Sequence, residues 1–159
     1  MVFTQIDTDD FKHLKQIESF FKKNNFYGDI LFRIMLSKKY PNTPQFKGYF
    51  FGNDSNIFGI VLYKTLNSIC QIDYLLVDSQ YRHNGYGSLL INKVLEPKYD
   101  MVFVITGKNT PKKNVYTKLG FKNLVSYTLD IRNDDKKLSM LKEELECRPE
   151  CSFNRLLIK

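Results

Sequence analysis

Three stretches decide the fold: Ile69-Cys70-Gln71-Ile72-Asp73-Tyr74-Leu75-Leu76-Val77-Asp78, Arg82-His83-Asn84-Gly85-Tyr86-Gly87, and Met101-Val102-Phe103-Val104-Ile105-Thr106. The first is rich in β-branched and aromatic residues and reads as a strand over 69–78. The second is a glycine turn. A helix over about 85–96 follows it, with Leu89, Leu90, Val94 and Leu95 expected to face inward and Pro97 to stop it. The third is an unbroken apolar run, as a central strand buried on both faces requires. Strand, helix and strand make a βαβ crossover, which should be right-handed.

Upstream, residues 46–51 and 57–65 repeat with period two around the turn Gly52-Asn53-Asp54-Ser55, and Asn67-Ser68 supports another turn. With 69–78 they form an antiparallel meander. Before them lie a short strand at 2–6 and two helices. One runs over 9–24, with Phe11, Leu14, Ile17 and Phe21 at helical spacing, Thr8 or Asp9 as cap and Asn24-Asn25 at its end. The other starts at Asp29, carries Ile30, Leu31, Ile34 and Met35 on one face, and must stop before Pro41. Downstream, Thr110 as cap, Pro111 at the first position and Gly120 past the end punctuate a further helix. Alternation continues over 121–132, a charged amphipathic helix over 134–146 and a last strand over 152–158. The expected architecture is an α/β fold with a mixed sheet, a single domain over 1–159, and a helical insertion at 133–151.

A chain of 159 residues that is 43% hydrophobic and 26% charged has globular composition. It holds no Ala and no Trp, while Lys (19) and Asn (13) abound, which reads as a coding bias toward AT-rich codons. Cys70, Cys147 and Cys151 form no metal spacing, and an odd count points to reduced thiols. Met1–Asp7 has neither a basic nor an apolar leader region, and the run Met101–Ile105 is too short to span a bilayer. A cytoplasmic protein without membrane contact is expected. With only His13 and His83, a histidine-rich metal centre is excluded, and no metal is expected.

The glycine turn carries the sharpest chemical signal. Its glycines let backbone amides approach a ligand, and the helix behind it adds unpaired N–H groups and a partial positive charge. A dinucleotide fingerprint would need Gly at position 90, where Leu90 stands, and no Gly-Lys-Ser/Thr of a Walker loop is present. From these residues alone the turn is either an anion cradle of another style or a tight strand-to-helix connection.

Arg82-x-x-Gly85-x-Gly87 after a strand ending Leu75-Leu76-Val77-Asp78 resembles the acetyl-CoA-binding motif of the GNAT superfamily of N-acetyltransferases. Asn109, Tyr116 and Gly120-Phe121 are similar to that family's second signature, Asn-x6-Tyr-x3-Gly-Phe. The resemblance covers roughly residues 57–131, and the flanks by element order. It implies a GNAT-like fold in which the two parallel strands splay and the pantetheine arm sits in the gap. Backbone groups of Leu75, Leu76 and Val77 would pair with the arm, and adjacent Leu75-Leu76 breaks alternation as a bulge would. Arg82, His83, Asn84, Gly85, Tyr86, Gly87 and Ser88 would surround the pyrophosphate, chiefly through main-chain N–H groups, with His83 and Tyr86 solvated or packing. Asn109 would hydrogen-bond the arm.

The resemblance also implies a chemistry. Aminolysis of a thioester passes through a tetrahedral intermediate, and a positioned phenol can protonate the departing thiolate. Tyr116 holds the matching position; on its own pattern it is a core aromatic. The attacking amine needs a base, and Asp73 lies where some relatives place a carboxylate, although it reads equally as a solvent-facing strand residue. The implied activity is transfer of an acetyl group from acetyl-CoA to a primary amine of a small molecule or peptide, in a ternary complex, by a monomer or homodimer. Phe26, Tyr27, Asp29 and Tyr127 fall on the acceptor side, where an aromatic and acidic wall would suit a cationic amine. The alternatives are an acetyl-CoA-binding sensor or interaction module of the same fold and, last, a basic nucleic-acid-binding domain.

The net charge of +7 narrows that last choice. Residues 79–129 hold eight basic residues (Arg82, Lys93, Lys98, Lys108, Lys112, Lys113, Lys118 and Lys122) against Glu96 and Asp100. Nearly the whole excess lies in the segment expected to meet a polyphosphate, so it reads as a local field around the coenzyme's phosphates.

Overall fold

The computed structural model describes residues 2–26, 28–40, 42, 44–53, 55–107, 114–123 and 154–158. In chain order the elements are β1 (Val2–Gln5), α1 (Phe11–Lys23), α2 (Ile30–Lys39), β2 (Phe46–Gly52), β3 (Ile57–Leu66), β4 (Ile69–Val77), α3 (Tyr86–Leu95), β5 (Met101–Gly107), α4 (Val115–Lys118), β6 (Lys122–Asn123) and β7 (Asn154–Ile158). They build one mixed sheet in the order β1-β2-β3-β4-β5-β7-β6. β1 to β4 are antiparallel neighbours, β4 and β5 are parallel, and β7 is antiparallel to both β5 and β6. The crossover through α3 is the expected βαβ unit, and Met101, Val102, Phe103 and Val104 of β5 are all buried.

The sheet separates two cores. One face packs Phe51, Val61, Cys70, Ile72, Val102 and Val104 against Leu90, Ile91 and Val94 of α3. The other packs Phe46, Phe50, Ile60 and Leu62 against Leu14, Ile17, Phe20 and Phe21 of α1 and Ile30 and Ile34 of α2.

Several local expectations shift. The cap of α1 is Asp10, whose side chain accepts from the Lys12 N–H, rather than Thr8 or Asp9. Phe11 then sits in the first turn and stays 68% exposed, with the Lys15 ammonium 5.1 Å above its ring in place of the sheet. Met35 of α2 is also exposed. That helix is apolar almost all round, so its pattern could not single out the Ile30–Ile34 stripe. On α3 the buried stripe is Leu90, Ile91 and Val94, which turns Leu89 outward.

Asn114, in extended backbone, caps α4 through a reciprocal capping box with Thr117, so the helix that is described begins at Val115 rather than behind Thr110. Gly120, at φ +86°, ends it as expected. Thr110, Pro111, the strand beyond Asn123, the helix at 134–146 and the insertion at 133–151 lie outside the described residues.

Candidate functional site

The site begins where two parallel strands part. β4 pairs with β5 from Ile69–Met101 to Ile72–Val104, and there the ladder ends. Beyond it β4 keeps β3, with Leu75 opposite Val61, Leu76 opposite Ile60 and Val77 opposite Gly59, while β5 runs on beside β7. Burial follows the split: Ile69–Ile72 are buried and Asp73–Val77 half-buried. The splay is therefore present, and Leu75, Leu76 and Val77 line its β4 side.

A bulge sets the facing of these residues. Leu62 pairs with Tyr74 and Tyr63 with Ile72, which leaves Asp73 as the extra residue. The bulge thus lies at Asp73, upstream of the expected Leu75-Leu76. It resets the alternation: Cys70 and Ile72 face α3, Tyr74 and Leu76 join the α1/α2 core, and Leu75 and Val77 return to the α3 side.

The turn after β4 is anchored from several directions. Asp78 is buried, its backbone N–H donates to the Phe58 carbonyl (2.8 Å), and its Oδ1 accepts from the Gln80 N–H (3.1 Å), capping a single 3₁₀ turn over Ser79–Tyr81. The Lys23 ammonium at the end of α1 stands 2.8 Å from Asp78 Oδ2, although off the line of a hydrogen bond. This ammonium is the largest influence holding the Asp78 carboxyl below the usual aspartate range. Arg82 Nε donates to the Val77 carbonyl (2.9 Å), and Asn84 Nδ2 donates back to the Tyr81 and Arg82 carbonyls.

His83 (φ +64°) and Gly85 (φ +81°) both adopt left-handed backbone. For Gly85, the N-cap of α3, this is the conformation only glycine takes without strain. A Cβ there would meet nothing within 4 Å, so the space over the turn is open. Among the described residues, no acceptor takes the backbone N–H of His83, Asn84, Gly85, Tyr86, Gly87 or Ser88. A run of free amides with left-handed backbone at His83 and Gly85, ending in a helix N-terminus, has the form of an anion-binding concavity. Its unpaired donors and the positive end of α3 suit the negative charge of a phosphate group. Tyr86 packs on the Phe51 ring (4.7 Å between centroids), and His83 is exposed.

α4 closes the other side. A Cβ on Gly87 would stand 3.6 Å from Val115 Cγ2 and 3.7 Å from Leu75 Cδ2, so the first turns of α3 and α4 meet over β4. Tyr116, next in the chain, is 8% exposed within the α3-side core, its ring edge-on to Phe121 at 5.5 Å. Burial pushes its phenol well above the ordinary tyrosine range, which makes it a weaker acid than a free tyrosine.

Asp73 projects on the opposite face. Its Oδ1 accepts from Gln71 Nε2 (2.8 Å) and its Oδ2 lies 3.6 Å from the Lys64 ammonium, which itself rests 4.3 Å over the Phe46 ring. Its side chain is only 5% exposed, so it is not a solvent-facing residue. The structure thus brings Leu75, Val77, Gly87 and Tyr116 together on the α3 side of β4, with Arg82 and Gly85 in the turn that follows it and Asp73 across the sheet from Tyr116. Asn109, Lys112, Lys113, Tyr27 and Tyr127 lie outside the described residues.

Sequence reasoning passed over Lys23 and the tie it makes to Asp78. An Asp two residues before the amide it caps was a readable turn signal, but its partner on α1, 55 positions away, was not. The polar pair Gln71–Lys64 around Asp73 was equally invisible. Among the described residues no group of three or more His, Cys, Asp or Glu side chains could hold a metal, and no helix is long and apolar enough to cross a membrane.

Comparison with known proteins agrees with this fold. No curated protein matches the chain. Among solved structures, an acetyltransferase of the GNAT family from Staphylococcus aureus Mu50 is 18% identical, with 99% of this chain and 98% of that one covered at a TM-score of 0.61. Rv2747 from Mycobacterium tuberculosis, solved in complex with coenzyme A, is 15% identical, with coverage of 99% and 98% and a TM-score of 0.62. An aminoglycoside 6'-acetyltransferase type Ii is 14% identical, with coverage of 100% and 96% and a TM-score of 0.63. These likenesses are of fold. The family model described as acetyltransferase (GNAT) family matches residues 5–121 of the sequence itself, and with the splayed strands and the amide-lined turn already in place, the chain belongs to the GNAT family of acetyltransferases.

Proposed function

We propose that the protein, as a single domain, is an N-acetyltransferase that moves an acetyl group from acetyl-CoA to a primary amine by direct attack in a ternary complex. The observation that carries this is the run of amides from His83 to Ser88, unpaired among the described residues, beside the opening between β4 and β5. Acetyl-CoA, when bound, supplies a thioester whose acyl carbon is open to an amine.

The chain's residues then divide the work. The amides of His83–Ser88, helped by the α3 N-terminus, hold the diphosphate. The backbone of Leu75, Leu76 and Val77, with Asn109, holds the pantetheine arm as an added strand would be held, and an N–H near Leu75 or Leu76 stabilises negative charge on the carbonyl oxygen. Asp73 accepts the proton the amine sheds as the C–N bond forms. Tyr116, neutral at physiological pH as any phenol is, gives its proton to the sulfur as the C–S bond breaks. The two groups lie on opposite faces of the sheet, which suits an amine entering on one side of the acyl carbon and a thiol leaving on the other.

The burial of Tyr116 also favours a second reading, in which the ring is structural and the domain binds acetyl-CoA as a sensor or interaction module. Two measurements decide. Acetyl-CoA at millimolar concentration should raise the melting temperature by mass action on the folded state, and no shift would sink both readings. Release of free thiol with a panel of amines then separates enzyme from sensor. Tyr116→Phe should lower kcat far more than coenzyme affinity; equal losses would assign the ring to packing.

A further inference from the structure

The face of β4 that carries Asp73 is not the acidic wall a cationic acceptor would need, because its carboxylates are already engaged. Glu18 is held by Lys22 at 2.9 Å. Asp29 spends its Oδ1 on the Phe32 N–H (3.0 Å) as the cap of α2. Asp73 is held by Gln71 and Lys64.

Arg33 of α2 is the contrasting case. Its Nη1 donates to the Tyr74 hydroxyl at 2.8 Å, and among the described residues no carboxylate lies within ion-pair distance of it. Tyr74 is itself fixed, edge-on to Phe21 (5.7 Å) and Phe26 (5.5 Å) and tilted against Phe46 (6.4 Å). It follows the Asp73 bulge directly and precedes Leu75–Val77 in the splay. A rigid phenol therefore holds an exposed guanidinium on the α1/α2 side of β4, the side that also carries Asp73. Its Nε–Nη2 edge, the edge that takes a carboxylate side-on, is unengaged among the described residues.

We propose that Arg33, positioned by Tyr74, binds a carboxylate of the acceptor, so that the acceptor class is an amine that also carries an acidic group, such as an amino acid. This rests on the acetyltransferase reading above and narrows its substrate.

The test uses the full chain labelled with ¹⁵N, with and without saturating coenzyme A. It is titrated with ω-amino acids from glycine to 6-aminohexanoate and with the matching amides. The Arg33 Nε–Hε resonance, assigned by its loss in Arg33→Lys, should move with at least one carboxylate and stay still with its amide. In turnover, Arg33→Met should raise KM for that acid at least ten-fold and leave kcat/KM for its amide within two-fold, as loss of a charge-assisted contact alone requires. Arg33→Lys, which keeps the charge without the planar fork, should fall between. A resonance unmoved across the series, or moved equally by acid and amide, overturns the proposal, as does an Arg33→Met variant that loses both acceptors equally. An absent thermal shift on acetyl-CoA would instead sink the acetyltransferase reading, while the Arg33 resonance would still report carboxylate binding by itself.

Discussion

Removing either partner of the Lys23–Asp78 pair should cost different amounts, because the partners are buried unequally. The Lys23 side chain is 65% exposed and the Asp78 side chain 4%. In Asp78→Asn the side-chain oxygen can still accept from the Gln80 N–H, and the released ammonium relaxes into water. The loss is about 1 kcal/mol, near the upper end for a pair with one exposed partner. In Lys23→Met the carboxylate stays buried with the Gln80 amide and the charge of Arg82 as its remaining support. The full penalty for breaking a buried pair is discounted because Lys23 is mostly in water, which leaves about 2 kcal/mol.

For a chain of this length those losses correspond to melting temperatures lowered by roughly 2–4 °C and 4–8 °C. The double variant should resemble Asp78→Asn, since it strands no charge. Urea unfolding across a pH series checks the mechanism. The lowered Asp78 carboxyl contributes stability that is present above the ordinary aspartate range and lost as pH falls through its lowered folded value. The gap between wild type and Lys23→Met should therefore be widest at neutral pH and close in acid. A Lys23→Met variant no less stable than Asp78→Asn, or a gap indifferent to pH, would refute the reasoning. Because Asp78 also caps the turn that leads to the free amides, both variants should weaken acetyl-CoA binding measured by calorimetry.

Three further outcomes follow from other parts of the fold. Gly85→Ala meets no steric obstacle but must hold φ +81°, so it should cost about 1 kcal/mol in urea unfolding while lowering acetyl-CoA affinity by a larger factor. Gly48→Ala would bring a Cβ to 2.4 Å from the Val61 carbonyl oxygen, forcing β2 from β3, and should destabilise by about 2 kcal/mol or more without a specific effect on coenzyme affinity. Cys70 is fully buried and its thiol is pushed up to about 12, so in a Cys147→Ser/Cys151→Ser background a thiol reagent should label the native protein no faster than it unfolds.

Much of the architecture could be read locally. The period-two runs, the apolar stretch Met101–Val104 and the turn Arg82–Gly87 each carry their own signal, because strand alternation, full burial and left-handed backbone restrict residue type position by position. Gly85 and Gly120 fall where positive φ is needed. Where local signals were evenly balanced, contacts decided. Leu89 and Leu90 are equally apolar, and only the packing of α3 on the sheet buries one and exposes the other. The Leu75-Leu76 doublet announced a break in alternation, but its position at Asp73 depends on the pairing of β4 with β3.

By itself, then, the sequence determined the order of the described elements, the parallel crossover and the glycine turn between β4 and α3, all properties of short segments whose backbone and burial preferences are written in adjacent residues. The tertiary structure decided which charges are spoken for. Lys23 reaches Asp78, Lys64 reaches Asp73, and Arg33 meets the neutral Tyr74 hydroxyl rather than a carboxylate. Each of these depends on helices and strands distant in the chain being brought within a few ångströms by burial of their apolar faces, and no spacing along the chain encodes that distance.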